Sequence, residues 1–247
     1  MIKLLRWQVL LGLALIILSG FIYLIHYAIF RDPHHIYIYL LGDIAFVPIE
    51  VLLVTIIIHQ LLSEREKKAR LEKLNMVIGS FFSEVGTLLL TYFSDFDPEL
   101  DTIRKHLIVT NDWSEQEFTN VSKYLKVYDY KVEIRKVDLA SLRGFLVARR
   151  EFLLRLLENP TLLEHESFTG LLRAVFHLTE ELERRGDVSQ LPDTDYAHLA
   201  GDIKRAYTLL VQQWLDYVKY LKDKYPYLFS LAMRTNPFDQ TASPFVR

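Results

Sequence analysis

Hydrophobic and polar positions follow two different rules along this chain. From Gln8 to Phe30, and again from Ile36 to Leu62, almost every residue is apolar whatever helical face it falls on. From Ser63 onward, apolar residues instead recur at three- and four-residue intervals among charged ones. A helix that is apolar all round needs lipid or a large protein interior about it, whereas a striped helix needs only a neighbour.

Each apolar run exceeds the roughly 20 residues that a bilayer span takes, which predicts spans at about 8–30 and 36–62. A cleaved signal would have an apolar region of roughly 7–15 residues and a small-residue cleavage site. The first run is longer and ends in YAIFRDP. The connection RDPHH is too short for a domain, and Pro33 breaks the helix, so residues 1–62 read as a transmembrane hairpin. Lys3 and Arg6 precede the first run and Arg65, Lys67, Lys68 and Arg70 follow the second, against Arg31 alone between them. Cations collect on the cytoplasmic side. The expectation is a multi-pass protein of the cell membrane with both termini cytoplasmic.

Residues 63–93 carry a heptad pattern. Leu71, Ile78, Val85 and Tyr92 are seven apart, with Leu74, Phe81 and Leu88 at the alternate spacing. Such a seam packs on copies of itself in a coiled coil or on other helices of the same chain. Gly79, Ser83 and Gly86 form a second, small-residue side. Residues 94–235 then read as a series of capped helices. Asp97-Pro98-Glu99 starts one, and Ser114 with Glu117 makes a capping box beside a Trp113/Phe118 staple. A helix from Asp138 to about Glu158 ends at Asn159-Pro160, and Thr161 with Glu164 caps the next. A long helix follows from about Asp195 to Lys224, and Pro226 opens a short last one. Residues 129–137 alternate weakly, as an extended linker or a short strand would, and 236–247 read as a loosely ordered tail. The fold class is all-α: a two-helix transmembrane hairpin, its second span continuing into a long cytoplasmic helix, then a cytoplasmic helical bundle.

Charge and composition narrow the function. A net charge of −2 gives no basic field for nucleic acid. Without cysteine there are no disulfides, thiolate metal sites or cysteine nucleophiles. No glycine-rich phosphate loop and no G-x-S-x-G elbow occurs, so neither an enzyme nor a cofactor is expected. Asp195 with His198, and His177 with Glu181, have helical metal-ligand spacing. A di-iron bundle would need two Glu-x-x-His pairs, which are absent, and a solvated helix face is the simpler reading of these residues.

The chemistry that the pattern does isolate lies inside the second span. A charged side chain at the bilayer centre costs roughly 2.5–3.5 kcal/mol on insertion scales, and such residues mark ion or proton paths. Asp43 and Glu50 are seven apart and share a face, with Pro48 between them unable to donate to the Ile44 carbonyl. His26 on the first span lies at a depth to partner Asp43. Counting back by sevens from Leu71 reaches Ile57, Glu50 and Asp43, which puts the acids in phase with the cytoplasmic seam. Val54 and Ile57 would then form an apolar constriction below two acidic rings. The expected function is a homo-oligomer whose second spans line a cation or proton pathway, with the bilayer, its own copies and cations as partners. The alternative is a membrane-anchored scaffold or signalling adaptor.

Overall fold

The computed structural model describes residues 2–160, 162 and 165–245, with side chains from Trp7 onward except that of residue 8. Among the described residues the chain is all-helical, with no strand. It divides into two compact units, Met1–Lys67 and Lys68–Arg247.

The first unit contains α1 (Ile2–Phe30) and the greater part of α2 (Pro33–Phe81). The link between them is only Arg31 and Asp32. Arg31 takes a left-handed φ of 53° and its amide donates to the Tyr27 carbonyl at 2.9 Å, the geometry that ends a helix. Asp32 then caps α2, its carboxylate accepting from the His34 and His35 amides at 3.0 and 3.3 Å. Pro33 therefore opens the helix at its first turn rather than breaking it, and α2 begins ahead of the expected Ile36. Both helices are long and apolar enough to cross a membrane. Large apolar side chains point outward on every face, Ile16 at 69% and Leu41 at 71% exposure among them. In water that surface would drive aggregation, so it calls for an apolar environment.

The second unit is built on α8 (Glu166–Arg184) and α9 (Asp193–Lys224). Ser167 meets Gln213 while Arg185 meets Asp195, so the two helices run antiparallel. Leu199, Ile203, Leu210, Trp214 and Val218 form the buried stripe of α9. Around this pair lie α5 (Glu115–Val127), α6 (Leu139–Ala148), α7 (Arg150–Leu157) and α10 (Pro226–Arg234). The capping box at Ser114 and the Trp113–Phe118 contact, with ring centroids 5.1 Å apart, are both present. Pro226 opens α10 as expected.

The heptad seam does not continue to Tyr92. A π segment, Phe82–Gly86, separates α2 from α3 (Thr87–Ser94). Its wider turn holds one residue more than an α turn, so the apolar stripe changes phase there. Leu74, Ile78, Phe81 and Val85 are buried, but Leu71 and Leu88 are 47% and 44% exposed, and Leu89 and Leu90 take the inward positions. The seam is filled by the chain's own helices: Phe81 meets Phe168 of α8 edge-on, and Phe82 stacks on Tyr217 of α9 at 5.1 Å. A coiled coil along this face is therefore not available. Leu71, from which the count by sevens reached Asp43 and Glu50, is not a seam residue.

Four further expectations change. The helix expected over 138–158 breaks at Arg149 (φ −108°, ψ 6°) into α6 and α7. The helix expected at Asp97 begins later, as the short α4 (Leu100–Arg104), and Asp97 is buried with its carboxylate accepting from the Glu99 amide. Of the two readings of residues 129–137 the linker holds and the strand does not: residues 128–133 take no regular structure, Tyr130 is buried, and Ile134–Lys136 make a 3-10 turn. The tail is anchored at its start, with Asn236 donating to the Leu107 carbonyl at 2.9 Å and Phe238 fully buried against Trp214. Thr161 and Glu164, expected to cap α8, lie outside the described residues, and His165 supplies the cap seen there.

Candidate functional site

Six polar residues of the first unit line one groove between α1 and α2. It has a volume of about 570 Å³, with Ser19, Tyr23, His26, His35, Tyr39 and Asp43 among its lining. The spacing explains the convergence. Ser19, Tyr23 and His26 are four and three apart, and His35, Tyr39 and Asp43 are four apart, so each set occupies one helix face. The tight Arg31–Asp32 turn brings the two faces opposite each other.

The groove has an aromatic and imidazole end. The His26 and His35 rings stack with centroids 6.1 Å apart, and His35 lies 4.6 Å from Tyr39. His26 Nδ1 is buried and has no hydrogen-bond partner. A buried polar atom left unmet costs on the order of 1–3 kcal/mol, which marks the position as one that a water, a proton carrier or an ion would satisfy. Two imidazoles, two phenols and a carboxylate thus share one groove.

Of the residues singled out in the sequence, Asp43 and His26 come together in this groove, but they make no hydrogen bond or ion pair with each other. Glu50, Pro48, Val54 and Ile57 lie outside it, exposed on α2, which stays helical through Pro48. On α1, Ser19 lines the groove, whereas Gly12 has nothing within 4 Å of where a Cβ would be. Sequence reasoning missed His35, Tyr39 and Tyr23. The signal was there in the i, i+4 spacing leading from His35 to Asp43, but His35 sat in what looked like a connecting loop.

The chain was compared with known proteins. Residues 2–62 match the family model described as MJ1433, N-terminal helical domain. Residues 70–234 match the model described as uncharacterized protein MJ1433, C-terminal helical domain. The boundary between the two matches falls where the compact units divide. Uncharacterized protein MJ1433 of Methanocaldococcus jannaschii is 51% identical over 234 residues, covering 95% of this chain and 94% of that protein. No solved structure matches.

Proposed function

The chain belongs to the MJ1433 family, and on that premise we propose a homo-oligomeric integral membrane protein that passes protons or small cations along its hairpin. The reading takes α1 and α2 as the spans, oriented by the cations at Lys3, Arg6, Arg65, Lys67, Lys68 and Arg70. One observation carries it: His26, His35, Tyr39 and Asp43 line a single groove between two helices that are apolar over most of their length. Ionisable groups at membrane depth face a path or a partner because facing lipid is costly.

Glu50 supports self-association. It lies outside the groove and is exposed on a single hairpin, together with Val54 and Ile57. Copies packed through this part of α2 would remove its carboxylate from lipid. Assembly then rests on the hairpins rather than on residues 71–92, whose seam is already filled. The second unit would act as the cytoplasmic regulator of the path.

A membrane-anchored scaffold or adaptor is the competing reading. What favours it is a groove of about 790 Å³ on the second unit, lined by Met76, Tyr217, Tyr227 and Leu231. Liposomes containing the full chain, with a pH-sensitive dye inside, separate the two. The proposal expects an imposed pH or potassium gradient to collapse faster than in empty liposomes, and Asp43→Asn to slow that collapse. Equal rates with and without the protein would leave the anchor reading standing.

A further inference from the structure

Two side-chain pairs that are remote in sequence face each other across α8 and α9. His177 and Glu181 are four apart on α8, and His198 and Asp202 are four apart on α9. Each pair therefore projects from one face of its helix. Because α8 and α9 run antiparallel, those faces meet. The His198 and His177 Nε2 atoms lie 3.3 and 3.6 Å from Asp202 Oδ2, and 3.7 and 3.9 Å from the Glu181 carboxylate oxygens.

We propose that His177, His198 and Asp202, with Glu181 beside them, form a binding site for a divalent first-row transition ion. The ligating atoms of the first three residues all lie within 4.8 Å of one another. Ligands about 2.1 Å from a tetrahedral ion are roughly 3.4 Å apart, so the observed separations need only small side-chain adjustments to close around one. Two imidazoles with a carboxylate select zinc, iron, manganese and their neighbours over calcium or magnesium, which prefer oxygen ligands throughout.

A second observation points to the same ligand. Asp202 is 4% exposed, and although Arg205 donates to its Oδ1 at 3.2 Å, its Oδ2 is buried without a hydrogen-bond partner. That unmet acceptor is the atom both Nε2 atoms approach. Burying a carboxylate oxygen with nothing bound is costly, and a cation at this point removes the cost.

The surroundings hold the site in place. Arg185 donates to the Glu181 carboxylate at 2.6 Å and makes a two-pronged pair with Asp195 at 2.6 and 2.8 Å. Asp195 is therefore occupied by Arg185, so the α9 ligand that works with His198 is Asp202 and not its nearer sequence neighbour. The His177 and His198 side chains are 44% and 52% exposed, which gives an ion a way in and leaves positions on it for water or substrate. A metal here would bridge α8 and α9, the two helices on which the second unit is built.

The test uses tag-free full-length protein in detergent, stripped of metal, with Zn2+ titrated calorimetrically and Co2+ followed by its visible spectrum. One ion per chain is expected, with visible bands from imidazole ligation and a rise in melting temperature on adding Zn2+. His198→Ala, His177→Ala and Asp202→Asn should each weaken binding by about 100-fold or more, and Arg185→Ala by about 10–100-fold, the range for an outer partner. The two histidines are half exposed, so their variants keep the fold and decide the matter even if Asp202→Asn unfolds. No binding by the wild type overturns the proposal. Equal binding by the wild type and both histidine variants also overturns it, because the ion would then sit elsewhere.

Discussion

Arg149 Nε donates to the backbone carbonyl of Glu84 at 2.8 Å. This bond joins two interruptions: Arg149 sits at the break between α6 and α7, and Glu84 lies in the π segment between α2 and α3. The same guanidinium lies 4.0 Å over the Phe145 ring. The two irregular points thus fit one another, and neither is explained by its own local sequence.

Arg149→Ala should destabilise the second unit by about 1–2 kcal/mol, since a charge-assisted hydrogen bond and a ring contact are lost together. Arg149→Lys should recover only part of this, because an ammonium lacks the planar fork. Urea unfolding of the three proteins, compared through their midpoints, measures the difference.

Glycines at two positions should respond in opposite directions to alanine. At Gly86 a Cβ would lie 2.6 Å from Phe82 Cδ1 and 2.8 Å from Phe81 Cε1, closer than real contacts allow. Gly86→Ala should therefore cost about 1–3 kcal/mol as the aromatic rings are displaced. Gly144, exposed in α6, has nothing within 4 Å. Gly144→Ala should add roughly 0.5–1 kcal/mol through helix propensity alone. Thermal unfolding reads both.

Stability should depend on pH through Asp97. Burial pushes its carboxyl above the ordinary aspartate range, against the lowering effect of the Glu99 amide that it accepts. An acid raised in the folded state carries a penalty when charged. That penalty is absent below the unfolded value of about 3.9 and grows as pH rises through the folded value. Asp97→Asn keeps the acceptor for the Glu99 amide and removes the charge. It should stabilise the protein by on the order of 1 kcal/mol at pH 7, the scale of one unmet buried group, and by almost nothing near pH 3.5. Denaturant midpoints for both proteins at the two pH values provide the check.

The segment after α10 should matter to stability despite its tail-like composition. Phe238 is fully buried against Trp214. Phe238→Ala should cost about 3–5 kcal/mol, as for other large core truncations. Tyr227→Ala, at a side chain 70% exposed, should cost far less. Guanidinium unfolding followed by tryptophan fluorescence reports both.

What the chain determines by itself is what local composition and spacing decide. Two runs apolar on every face can form only helices that need apolar surroundings. Ser114 with Glu117, and Pro226 at its helix start, set their ends through contacts within a few residues. The all-α class was legible for that reason. Tertiary structure decided the rest. The π segment appears where Phe81 and Phe82 must reach Phe168 and Tyr217 at once, and that re-phasing moved Leu88 out and Leu89 in. His26 met the face of Asp43 because a two-residue turn folded α2 back along α1. His177 and Asp202 met because α8 and α9 pack antiparallel. Helical periodicity places residues on a face, and only the packing of another helix determines what that face meets.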